Sequence, residues 1–175
     1  DKFRKPDIKL FGEITRLGVP IGLSFFIEVS LFACIIFLVA KLDGDTTKLI
    51  SAQQIVINLT SLIFMIPQSI GIASTVRIGI NLGQNNPQQA RYVSGVAISS
   101  AMAISFLTAS FLIIFRYKLA DMYTDDLAVI DICGTLLLFA AAFQLVDAIQ
   151  CVASYALRGY KITKSPMIIH MICFW

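Results

Sequence analysis

Two acids stand where an acid is costly. The stretch SFFIEVSLFACIIF, Ser24 to Phe37, is otherwise apolar or hydroxylic around Glu28, and FAAAFQLVDAIQCVAS holds Asp147 among apolar residues with two glutamines, Gln144 and Gln150. An ionised carboxylate in hydrocarbon costs several kcal/mol unless something compensates it, and no Lys or Arg lies within the interior of any apolar run of this chain. Three states satisfy that constraint: the acid is protonated, a basic partner comes from sequence outside this chain, or a mobile cation occupies the site. The first and third are one device in two conditions, because desolvation raises an acid's proton affinity and a bound cation lowers it. A pair of such acids facing one cavity is a site for Na⁺ or H⁺ that needs no cofactor and no catalytic residue. The plainer alternative is that each acid is permanently neutral and hydrogen-bonded to a neighbouring helix, Asp147 to a Gln.

The elements that must hold these acids follow from hydropathy. Hydrophobic residues make up 57% of the 175 positions and charged ones 14%, with a mean hydropathy of +0.80, which excludes an ordinary soluble domain, about a quarter of whose residues are charged. The apolar residues fall in long blocks, so the expected class is all-α, a polytopic membrane helix bundle. Four full spans are expected at about 17–40, 49–76, 93–115 and 127–157, with the start of a fifth at 166–175. Because that last run holds only about ten residues, the chain reads as a fragment of a larger protein. Residues 1–16 mix charges with Ile8, Leu10, Phe11 and Ile14 and are expected to lie as an amphipathic segment at the membrane surface. In NNPQQAR, Pro87 is expected in a first helical turn.

Orientation fixes depth. With the N-terminus in the cytosol, that side receives ten basic residues (Lys2, Arg4, Lys5, Lys9, Arg16, Arg77, Arg91, Arg158, Lys161, Lys164) and the far side four (Lys41, Lys48, Arg116, Lys118), as the positive-inside rule prefers. Glu28 then lies about 18 Å from the cytosolic end of the first span, and Asp147 about 16 Å from that of the fourth. Both are near mid-bilayer. On the helix face of Asp147 stand Phe143, Gln144, Gln150, Cys151 and Ser154, a polar stripe, whereas Glu28 shares its face with Ser24, Phe25, Leu31, Phe32 and Ile35. Asp131, near the outer end of the fourth span, could line a vestibule.

Other features are quieter. The four cysteines (Cys34, Cys133, Cys151, Cys173) sit in apolar blocks without metal-ligand spacing and read as small buried hydrophobes. RIGINLGQ follows no strand and leads to no phosphate-gripping lysine, so nucleotide binding is not expected, nor is nucleic acid. An intramembrane aspartyl-type enzyme would need two acids sharing a proton, and the YD and GxGD signatures of such enzymes are absent. A lipid or polysaccharide flippase of related architecture calls for a cavity rich in Arg or Lys, which these spans lack.

The stretches GVPIGLSFFIEVSLF, AQQIVINLTSLIFMIPQSIGIASTVRIGINLG, MYTDD and LLLFAAAFQLVDAIQCVASYALRGYK, in this order and covering nearly all of the chain, resemble the multidrug and toxic compound extrusion family of antiporters, in its bacterial cation-coupled branch. The resemblance implies a twelve-span protein of two six-span lobes in the bacterial inner membrane, of which this chain is part of the C-terminal lobe. It implies export of organic cations in exchange for Na⁺ or H⁺, with the N-terminal lobe and membrane lipid as partners. The coupling cation falls to Glu28 and Asp147, the acids that depth had selected. Asp126, Gln54 and Phe32 are implied as contacts for the drug or the ion; Phe64 stands where some relatives have Tyr and offers a ring without the hydroxyl.

Overall fold

The computed structural model describes residues 8–39, 41 and 45–174. Five helices follow one another: α1 (Ile8–Val39), α2 (Thr46–Gly83), α3 (Pro87–Asp121), α4 (Leu127–Gly159) and α5 (Lys164–Phe174). No strand occurs among the described residues. The first part of the surface segment expected over 1–16, the last residue of the span expected over 17–40, residues 42–44 and Trp175 lie outside the described residues. Helices α1 to α4 are each long and apolar enough to cross a membrane, and the protein is an all-α membrane helix bundle.

The helices exceed the apolar runs that announce them. At about 1.5 Å per residue, the 38 residues of α2 extend about 57 Å, against about 30 Å of hydrocarbon. Hydropathy marks only the part immersed in lipid, while helix propagation continues into the headgroup layer, because each further residue adds a hydrogen bond at small entropic cost. The same holds at the other end of the chain, where α1 runs without a break from Ile8 through the apolar stretch to Val39. Between α2 and α3 the polar run behaves as its composition demands. Asn85 takes a left-handed backbone (φ 56°), Asn86 caps α3 by accepting from Gln89 N–H at 3.1 Å, and Pro87 opens the helix.

Two compact units emerge, residues 1–35 with 161–175, and residues 36–160. In the larger unit α4 packs against both α2 and α3, and α2 against α3. The seam is rich in small side chains, with a few larger ones such as Leu112 and Leu137 buried among them. Ala90, Ala97, Ala101, Ser105 and Ala109 line one face of α3, while Cys133, Leu137, Ala141, Ala148, Val152 and Ala156 do so on α4. Small residues let helix backbones approach, which is what drives association where lipid is as apolar as the protein. Large apolar side chains point outward instead: Phe106, Leu107, Ile114 and Phe139 are all exposed, an outer surface suited to acyl chains.

Gly71 shows how close the approach is. A Cβ there would meet the Tyr155 ring at 2.7 Å and its Cβ at 3.0 Å, and one turn on the Thr75 hydroxyl donates to the Tyr155 carbonyl at 2.6 Å. Because the clash involves the root of the tyrosine, rotation of the ring does not relieve it. Gly71→Ala is expected to lower stability by about 1–3 kcal/mol through overpacking, whereas Gly79→Ala, whose Cβ would have nothing within 4 Å, should be neutral or slightly stabilising. Thermal unfolding midpoints of the full-length protein carrying each substitution check this; equal effects would disprove the close packing at Gly71.

Candidate cation site and relation to known proteins

Each acid singled out in the sequence sits on an apolar helix. Glu28 is half-buried on α1, in the smaller unit, and Asp147 is half-buried on α4, in the larger. On α1, Ser24 is buried and donates to the Pro20 carbonyl at 2.9 Å, and Phe32, a turn beyond Glu28, is exposed. The first unit thus presents a carboxylate with a ring and no second strong polar group on its face.

The surroundings of Asp147 are richer. Gln144, one turn before it, is 5% exposed and donates from Nε2 to Thr108 Oγ1 of α3 at 3.2 Å. Thr108 in turn donates to the Ser105 carbonyl at 3.1 Å, and the buried Ser105 donates to the Ala101 carbonyl at 2.6 Å. This chain of donors orients the amide, since Thr108 spends its own proton on α3 and is left to accept. The other amide atom, Gln144 Oε1, is buried and has no hydrogen-bond partner among the described residues. A buried, open acceptor costs about 1–3 kcal/mol, and what relieves it is a donor or a cation.

Thr108 and Ser105 escaped the sequence reading. Two hydroxyls at i and i+3 on an apolar helix are a visible signal, but a weak one, because hydroxyls in lipid-facing helices usually bond back to their own carbonyls. Ser154, also expected in the polar stripe, is buried, and Gln150 is half-buried. Asp131 is exposed, with its carbonyl accepting from Thr135 Oγ1 at 3.2 Å. Gln54 is exposed and Phe64 half-buried, both on α2. Among the described residues no group of three or more His, Cys, Asp or Glu gathers for a metal.

Asp126 has definite local duties. It is the N-cap of α4, where Oδ1 accepts from Ala128 N–H at 2.9 Å, and its Oδ2 faces Lys48 Nζ at 3.3 Å. Lys48, in the first turn of α2, also lies 3.8 Å from Asp45, the cap of its own helix. Ala128 N–H first, and Lys48 second, hold the Asp126 carboxyl below the usual carboxylate range. A cation approaching Asp126 must therefore compete with Lys48.

The sign of the pH effect follows. A depressed carboxyl contributes stability that is complete above the ordinary Asp value of about 3.9 and disappears as pH falls through the depressed one. Asp126→Asn keeps a cap acceptor and loses the ion pair; Asp126→Ala loses both. At pH 7 the unfolding midpoint is expected to fall in the order Asp, Asn, Ala, and the Asp–Asn gap should close as the solution is acidified through the carboxyl's titration. A gap independent of pH would contradict the pairing.

Comparison with known proteins agrees with this architecture. The MatE family model matches residues 20–175, a range that includes Glu28, Asp147 and the Gln144 network. Over 174 residues the chain is 49% identical to the probable multidrug resistance protein NorM of Neisseria meningitidis serogroup A, covering 99% of this chain and 37% of that protein. It is 44% identical over 170 residues to the multidrug resistance protein MdtK of Proteus mirabilis, covering 97% of this chain and 36% of the relative. With PmpM, a multidrug resistance protein of Pseudomonas aeruginosa, it shares 40% identity over 170 residues, 97% of this chain and 35% of that one. The chain thus spans a little over a third of the length of these relatives. With a match across most of its helical length, and identities of this size from end to end, the chain belongs to the MatE family.

Proposed function

We propose that the protein to which this chain contributes is a secondary active transporter that exports organic cations in exchange for Na⁺ or H⁺ across the bacterial inner membrane, and that Glu28 and Asp147 are its coupling carboxylates. The observation that carries the reading is the end-to-end likeness to proteins named for multidrug resistance, joined to two acids at one calculated depth in the membrane. The orientation with a cytosolic N-terminus, the surface role of residues 1–16 and the assignment of 17–175 to a transmembrane lobe are parts of the same proposal and rest on the distribution of Lys and Arg.

Exchange needs competition for one charge. A drug cation held by the carboxylates loses its hold when Na⁺ or H⁺ neutralises them, and the ligand exchange shifts the balance between the two orientations of the transporter. A ligand shifts such an equilibrium only by its differential affinity for the two states, and replacing a large cation by a small one supplies that difference. Phe32 and Phe64 would offer ring faces to an organic cation, and Gln54 and Asp126 polar contacts nearer the outer end. Walls that are mostly apolar, with few hydrogen-bonding groups, reward positive charge and greasy bulk rather than one shape. Gln144 fits the same scheme, its open carbonyl oxygen being an acceptor for a cation or a proton donor reaching the region of Asp147.

Two measurements test the proposal. In proteoliposomes of the full-length protein, with sodium and proton gradients imposed separately, Glu28→Gln and Asp147→Asn should each reduce gradient-driven drug efflux by at least about tenfold, the factor that about 1.4 kcal/mol of lost differential binding produces. Unchanged efflux in either variant would refute the coupling role. Gln144→Met, close in volume, removes the Thr108 hydrogen bond and the open acceptor together. Stability should then change by less than about 1 kcal/mol, because the two effects offset, while efflux falls. A large loss of stability with normal efflux would make Gln144 a purely structural residue.

A further inference from the structure

We infer that the smaller unit carries a binding site for the phosphodiester headgroup of an anionic lipid. Glu13 and Arg16 of α1, Lys161 and Thr163 of the link into α5, and Lys164 at the start of α5 line a cavity of about 390 Å³, within the roughly 300–1,000 Å³ typical of small-molecule sites. Three bases face one acid. Glu13 is ion-paired with Lys161, which leaves Arg16 and Lys164 to set the positive character of the cavity. Leu17 and Ile162 add apolar wall, and Thr163, 6% exposed, places a buried hydroxyl-bearing residue immediately before α5. The first N–H groups of a helix and its dipole favour negative charge at that end.

Depth selects a lipid rather than a cargo. The cavity forms where both strands of chain change from charged to apolar: Arg16 precedes the run that starts at Leu17, and Lys161 and Lys164 precede the run from Pro166. That boundary is the headgroup level, and basic pockets between helices at this level suit acidic headgroups. Lys161 also adopts a left-handed backbone, φ 61°, a conformation that a residue with a side chain rarely takes, and with it the lysine reaches Glu13. The apolar lining would accept the glycerol and first methylenes, the bases the phosphate. The inference goes beyond the transport proposal and depends on neither its cargo nor its coupling ion.

The test uses delipidated full-length protein in neutral detergent, titrated with short-chain phosphatidylglycerol or phosphatidylcholine while the unfolding midpoint is read. Phosphatidylglycerol should raise the midpoint at lower concentration than phosphatidylcholine. Arg16→Gln with Lys164→Gln, which spares the Glu13–Lys161 pair, should weaken the phosphatidylglycerol response about 30-fold and leave that to phosphatidylcholine unchanged. Glu13→Gln, which frees Lys161, should strengthen it, so the outcome does not hang on one variant. Equal responses to the two lipids in the unsubstituted protein, an undiminished preference in the double variant, or a full response to inorganic phosphate alone would each overturn the assignment.

Discussion

Within a bilayer no water is present to satisfy a polar group, and nearly every local feature of this chain answers that constraint. The backbone does so by forming helices. Hydroxyls do so by turning back on their own helix: Ser24 to the Pro20 carbonyl, Thr60 to Val56, Ser69 to Met65, Ser94 to Ala90, Ser105 to Ala101 and Ser110 to Phe106. These bonds hide serines and threonines inside the helices that carry them. A polar group that cannot be hidden in this way must find a partner on another helix or serve a function.

A small set of contacts does cross to another segment, two of them from hydroxyls that also turn back on their own helix. Thr75 reaches the Tyr155 carbonyl, Ser94 meets the Tyr160 hydroxyl at 3.3 Å, and Gln144 reaches Thr108. Two run to or from α4 and the third to Tyr160, its C-cap; α4 is also the helix buried most thoroughly, with 39% of its apolar window covered against 28% for α2 and 22% for α3. One helix therefore supplies the centre of the three-helix unit and carries Asp147. Small side chains on α3 and glycine on α2 let it be approached closely, and close approach puts Thr108 within reach of Gln144. Packing and polar chemistry are the same arrangement seen from two sides.

Charge is handled differently in the two units. In the larger, Asp45, Lys48 and Asp126 tie the start of α2 to the start of α4, Asp126 doubling as the side-chain cap of α4. In the smaller unit, Lys161 and Glu13 tie the link before α5 to α1. Exposed pairs of this kind contribute little stability on their own, so their chief effect is on where the neighbouring charges stand. In the first case this leaves Asp126 partnered; in the second it leaves Arg16 and Lys164 beside an open cavity.

The amino-acid sequence by itself determined that the chain is a helical membrane bundle, where its apolar runs lie, and that Glu28 and Asp147 sit deep within them. Those properties depend on composition and on a fixed rise per residue, both readable along one strand of chain. The Asn86 cap and Pro87 start of α3 were legible for the same reason, being set by residues in immediate succession. Helix ends were not, because Asn81 to Gly83 of α2 and Arg116 to Asp121 of α3 are polar enough to look like links yet extend helices already nucleated in lipid. The tertiary structure alone decided that Gln144 meets Thr108, that Asp126 faces Lys48, and that Lys161 bends back to Glu13. Each of these joins residues far apart in the chain, and for Gln144 and Thr108 the meeting faces of two helices are set by small side chains at the seam, a choice that periodicity within one helix does not contain.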